Sequence, residues 1–137
     1  MPELRGIKET CLYVSDLKRA VAFYEQVLAL RRMAGDERFC ALSVADNHVL
    51  LLFKQGASIE PMSVPGGTIP AHDGNGPMHV GFAVPPESLA EWEEVLAQNG
   101  VPIESRVTWA RGGKSIYFRD PDQHALELLT PGVWPIY

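Results

Sequence analysis

Cysteines, cationic runs and long apolar stretches are all scarce in this chain. Its 137 residues include two cysteines, Cys11 and Cys40, too few for a disulfide framework. Both sit in strand-like runs, where a buried free thiol is the expected state. Twelve Lys and Arg stand against seventeen Asp and Glu, a formal charge of −5, and no basic run offsets it. That balance argues against a nucleic-acid footprint. No apolar stretch approaches the roughly 20 residues that span a bilayer. The opening Met-Pro-Glu-Leu-Arg has neither a basic leader nor a hydrophobic region, so no secretory signal is expected. With 46% hydrophobic and 21% charged residues, the chain is expected to be a soluble, cytoplasmic, single-domain protein of residues 1–137.

What the chain does contain is one pattern stated twice. The first copy begins Glu9-Thr-Cys-Leu-Tyr-Val14 and the second His79-Val-Gly-Phe-Ala-Val84. They end in Asp46-Asn-His-Val-Leu-Leu-Leu-Phe53 and Asp122-Gln-His-Ala-Leu-Glu-Leu-Leu129. Superposing the Asp-x-His signatures sets Leu51 opposite Glu127, and Glu9 stands where His79 stands. An internal repeat governs the whole fold assignment.

Each copy reads as strand, helix, then further strands. Residues 7–14 alternate, with Leu12 and Val14 on one face and Glu9, Cys11 and Tyr13 on the other. Asp16 is a plausible N-cap, and Leu17, Val21, Tyr24 and Leu28 form an apolar helical stripe. Phe39–Val44 and His48–Phe53 read as strands joined at Ala45-Asp-Asn. In the second copy the strand His79–Val84 precedes a helix from about 87 to 98, with Leu89, Trp92 and Leu96 on its stripe and Gly100 as its stop. Pro102–Thr108, Lys114–Arg119 and His124–Leu129 follow as strands. Module one is about 5–54, module two about 78–130, and an apolar tail occupies 131–137. The Gly- and Pro-rich stretch 55–77 breaks both periodicities and reads as a linker with an irregular lobe around Pro61–Pro70.

Packing the apolar faces under the helices predicts that the opposite faces share one concave surface. That surface carries Glu9, Cys11 and Tyr13, then His79, Gly81 and Ala83, then Ser115, Tyr117 and Arg119, and finally Glu127. Polar groups facing a cavity need partners, and a divalent cation would serve Glu9, His79 and Glu127 together. Such oxygen-rich ligation suits Fe, Mn, Ni or Zn. Taken singly, Glu9 reads as a solvated edge residue and His79 as a structural histidine. Glu127 is a lone carboxylate in an apolar strand, and that needs a reason. Tyr117 and Arg119 are candidates to bind or polarise substrate, or else strand-surface partners. His48 and His124 share a turn-flanking repeat position and read as structural. His72 and Asp73 could fold over the mouth of the cavity, with a solvated loop the favoured reading, and Arg111-Gly-Gly-Lys114 lacks the following helix that a phosphate loop requires.

Two signatures resemble a known family. Glu9–Leu28, with Val14-Ser-Asp-Leu17 and Val21-Ala-Phe-Tyr24, resembles the opening module of the vicinal oxygen chelate superfamily. Ser115-Ile-Tyr-Phe-Arg-Asp-Pro-Asp-Gln-His-Ala-Leu-Glu-Leu128 resembles its closing signature more strongly. That group includes glyoxalase I, fosfomycin-resistance enzymes, bleomycin-resistance binding proteins and extradiol dioxygenases. The resemblance implies an α+β fold of two βαβββ modules, a curved mixed sheet around a central cavity with a metal site, commonly in a homodimer. It implies His79 and Glu127 as ligands. Glu9 holds the first-strand ligand position, where relatives usually place His or Gln. Leu51 replaces the carboxylate that is the base in glyoxalase I. The segment around Tyr117 looks most like the fosfomycin-resistance group, whose matching tyrosine contacts substrate, although the apolar tail lacks that group's basic residues.

The implied function is a metal-dependent lyase, isomerase or thiol transferase acting on a small oxygen-chelating molecule. One alternative is a non-catalytic bleomycin-resistance-like binding protein, with Leu51, Phe53, Trp109, Trp134 and Tyr137 as its apolar wall. An extradiol-type dioxygenase is the other.

Overall fold

The computed structural model describes residues Met1–Tyr137 and divides into two compact units, Met1–Asn75 and Gly76–Tyr137. No helix is long and apolar enough to cross a membrane.

The first unit contains β1 (Glu9–Val14), α1 (Leu17–Gln26), β2 (Arg31–Gly35), β3 (Phe39–Val44) and β4 (His48–Lys54). These strands form a mixed sheet in the order β1-β4-β3-β2, with β1 parallel to β4. The Asp16 carboxylate accepts the Arg19 backbone N–H at 3.1 Å, which satisfies one of the helix's orphan donors. Its stripe buries Ala20, Val21 and Tyr24 where α1 packs against β3 and β4. The even-numbered side chains Leu12, Leu42, Leu50 and Leu52 are buried almost completely, and with Val14 and Cys40 they form this unit's core. The opposite, odd-numbered face is left for other use.

The second unit repeats the design. It contains β7 (His79–Ala83), a 3₁₀ turn at Pro86–Ser88, α2 (Leu89–Gln98), β8 (Ser105–Thr108), β9 (Lys114–Arg119) and β10 (Ala125–Leu129). Its mixed sheet runs β7-β10-β9-β8, again with the first strand parallel to the last. Ile116, Phe118, Leu126, Leu128 and Leu96 form the core. A two-pronged Arg106–Glu93 contact, both distances 3.0 Å, ties β8 to α2. Gly100 ends the helix at a φ of 67°, a left-handed conformation that glycine adopts without a Cβ penalty.

The two registers match. Cys11 pairs with Leu51 in β4, as Gly81 pairs with Glu127 in β10. Ala41 stands beside Leu51, as Tyr117 stands beside Glu127. The repeat is therefore a structural duplication with different side chains on one face.

Two expectations need correcting. The centre of the linker is ordered: β5 (Met62–Val64) and β6 (Gly67–Ile69) form an antiparallel hairpin. The segment closes on itself where the His72 N–H donates to the Ser58 carbonyl at 2.9 Å, and it is tied to β1 where the Gln55 N–H donates to the Val14 carbonyl at 2.9 Å. The strand expected over Pro102–Thr108 pairs in the ladder only from Ser105 to Thr108, as a proline without an N–H favours.

Candidate functional site

Glu127 is the centre of the polar group on the second sheet. It is 6% exposed and sits between Gly81 and Tyr117 on adjacent strands. The Tyr117 hydroxyl donates to Glu127 Oε1 at 2.9 Å, and His79 Nε2 lies 3.2 Å from Glu127 Oε2. Burial, followed by the hydrogen bond and charge of Glu127, pushes the Tyr117 hydroxyl above its ordinary pKa. Tyr117 therefore stays protonated and acts as a donor.

The other ring nitrogen of His79 defines the chemistry of this contact. His79 Nδ1 is 2.8 Å from the Ala125 carbonyl oxygen. That oxygen can only accept, so Nδ1 carries the proton. In a neutral ring, the Nε2 lone pair then faces a carboxylate oxygen. Two acceptors at that separation need a proton or a cation between them. The same second-sphere arrangement, an N–H bonded to a backbone carbonyl, orients metal-ligating histidines. The pair therefore fits a divalent ion as two of its donors.

The other predicted residues are placed differently. Glu9 opens β1 in the first unit, exposed beside Val49. No three His, Cys, Asp or Glu side chains gather as a ready cation cage. Arg119 shares the Tyr117 face by alternation, but its guanidinium is engaged by Glu104 at 2.6 and 3.2 Å and by the Gln123 carbonyl at 2.9 Å. His124, 1% exposed, accepts the Met78 N–H through Nδ1 at 2.8 Å and is structural as expected. His48 is exposed against Asn47, so the shared repeat position does not impose a shared environment. Trp109 belongs to the second unit and donates to Ser115 Oγ at 2.8 Å. Trp134 is 67% exposed, and the exposed Tyr137 donates to the Val84 carbonyl at 3.1 Å.

The corresponding face of the first sheet has become a cavity of about 730 Å³. β1, β3 and β4 supply its floor through Cys11, Tyr13, Phe39, Leu51 and Phe53, while the segment containing β5 and β6 lines the rest. Cys11, expected to be buried, is half-buried and lines this space, whereas Cys40 is in the core. His72, for which a solvated loop is the reading the sequence favours over a fold across the cavity mouth, lines the cavity. Its Nδ1 is 2.6 Å from the Tyr13 hydroxyl, so the expected solvated loop is in fact fastened to β1. Burial, then the neighbouring Cys11, push the Tyr13 pKa up to about 12.

Paired βαβββ units, each with one sheet face left open and a His–carboxylate–Tyr group on the second, define a recognisable class of protein. The chain belongs to the Glyoxalase/Bleomycin resistance protein/Dioxygenase superfamily, whose profile matches residues 6–128. A metallothiol transferase FosB from Bacillus licheniformis is 29% identical over 96% of this chain and 79% of its own length. A glutathione transferase FosA from Serratia marcescens is 30% identical, covering 91% of this chain and 80% of its own. Among solved structures, a lactoylglutathione lyase from Agrobacterium tumefaciens superposes with a TM-score of 0.88 at 27% identity, covering 98% of this chain and all of the other (100%).

Proposed function

We propose that this protein is a divalent-metal-dependent thiol transferase acting on a small, oxygen-bearing molecule. His79 and Glu127 are two donors to the ion. Tyr117 and Arg119 contact the substrate. The observation that carries this reading is the His79–Glu127 contact, in which a proton fixed on Nδ1 turns a lone pair toward a carboxylate. A divalent ion would supply Lewis acidity to substrate oxygens; Fe, Mn, Ni and Zn all suit this donor set.

The protein's own groups account for the remaining steps. Tyr117, held protonated beside Glu127, turns its one O–H from Glu127 toward negative charge developing on the substrate. Arg119 shares that face, with its guanidinium paired to the Glu104 carboxylate and so held in a fixed orientation. Leu51 occupies the register position equivalent to Glu127, so the first sheet offers no second carboxylate there for proton shuttling. This favours thiol transfer over proton-transfer isomerisation, and the names of the FosB and FosA relatives, a metallothiol transferase and a glutathione transferase, support it. The reading includes a homodimer, which light scattering would measure.

Elemental analysis of the purified protein tests the metal, and thiol consumption with an epoxide or similar electrophile tests the reaction. Near-stoichiometric divalent metal that falls in Glu127→Gln and His79→Ala is the expected result. Protein with no ion above background and no thiol consumption in any metal would sink the reading.

A further inference from the structure

We infer that the cavity of the first unit binds a neutral, ring-bearing small molecule. That this molecule is the substrate rests on the transferase reading above; that it binds does not.

The size and the wall argue for a small-molecule site. A volume of about 730 Å³ lies within the range of small-molecule pockets, whose linings are mainly apolar with a few placed polar groups. Phe39, Leu51, Phe53, Met62, Val64 and Ile69 supply the apolar lining. The space arises from the divergence of the repeat. Ala41 and Leu51 occupy the register positions that Tyr117 and Glu127 fill in the second sheet.

Phe53 is the centre of an aromatic cluster. Its ring centroid is 4.5 Å from that of His72, 5.9 Å from Phe39 and 6.1 Å from Tyr13. Rings arranged at these separations present faces and edges to a further ring in offset or edge-on contact. The Tyr13–His72 hydrogen bond sits in this cluster and gives a bound hydroxyl or carbonyl a polar neighbour.

Charge decides against an anion. Glu9 and Glu60 line the cavity, and Arg38 is its lone Lys or Arg. The Arg38 guanidinium is already engaged, donating to the Ala57 carbonyl at 3.2 Å and contacting the Met62 sulfur. A phosphonate or carboxylate would meet two carboxylates and a cation committed elsewhere, whereas a neutral ring avoids that mismatch.

The full chain, stripped with chelator and separately reloaded with manganese, is titrated with the neutral fluorophore N-phenyl-1-naphthylamine. Matched competitors are 1-naphthylmethanol, 1-naphthylphosphonate and 1-naphthylmethylammonium. Saturable binding is expected, unchanged by metal and displaced best by the neutral alcohol. Ile69→Lys should weaken it by at least about tenfold, since a charged side chain replaces part of the mainly apolar lining that a neutral ring would contact. Ile69 is 45% exposed, so the variant folds, and an unchanged urea midpoint verifies this. Absence of saturable binding, parent affinity in Ile69→Lys, or stronger displacement by either charged competitor overturns the inference. Probe binding by protein that takes up no manganese on reloading leaves the cavity assignment standing and removes the transferase reading. Metal-loaded protein that does not bind the probe does the reverse.

Discussion

The Tyr13 hydroxyl and His72 Nδ1 lie 2.6 Å apart, joining the first strand to the segment that follows the β5–β6 hairpin. This bond places a phenol among aromatic rings, and burial followed by Cys11 raises its pKa from 10.0 to about 12. Because the folded protein holds this proton more tightly, the stability it contributes is complete below pH 10 and is lost as the pH rises toward 12. An ultraviolet tyrosinate titration of Tyr13→Phe should lack one late-titrating phenol. The parent should also lose urea resistance more steeply than the variant across that window. Equal slopes would refute the assignment.

Gly81 faces Glu127 across the parallel pair of β7 and β10. A Cβ there would meet Leu129 Cδ2 at 2.9 Å and Glu127 Oε2 at 3.5 Å. The leucine methyl is the end of a flexible side chain and can turn away, so Gly81→Ala should change stability by less than about 1 kcal/mol. If Glu127 ligates a divalent ion as proposed, the change should nevertheless weaken manganese binding roughly tenfold. Calorimetric titration and urea melting separate the two effects.

His124 is buried and accepts the Met78 N–H. His124→Ala should destabilise the second unit by about 1–3 kcal/mol, because a buried donor loses its acceptor. His48→Ala, at the exposed repeat position, should leave the urea midpoint unchanged. Matching losses in the two variants would show that the repeat positions are equivalent after all.

Gly113 lies against the turn after β10 so closely that a Cβ would come within 2.4 Å of the Gly132 carbonyl carbon and the Val133 nitrogen. Neither backbone atom can swing aside. Gly113→Ala should therefore destabilise by about 1–3 kcal/mol and make the chain beyond Pro131 more sensitive to limited proteolysis. Unchanged cleavage would mean that the turn repacks.

Much of the fold was legible because its signals are local. Alternation placed Leu12 and Leu126 in the cores, Asp16 capped its helix as its side chain allows, and the Asp-x-His repeat put Leu51 and Glu127 at equivalent register positions. The 55–77 segment was not legible in the same way. Its hairpin and its His72 anchor depend on contacts with residues distant in sequence, and no periodicity encodes them. Arg119 shows the same limit, since its strand face was readable but its partnership with Glu104 was not.

The sequence alone determined the duplicated βαβββ plan and the site face of each strand, because period-two alternation and turn residues act over a few neighbours. It also marked Glu127 as unusual, a carboxylate in an apolar strand. Tertiary structure alone decided what each face became. Strand pairing brought Gly81 and Tyr117 to either side of Glu127, and the Ala125 carbonyl set the orientation of the His79 ring. On the first sheet, a distant histidine and a glycine-containing hairpin line an open, mainly apolar cavity. Those outcomes depend on distances between residues far apart along the chain, which only the closed fold defines.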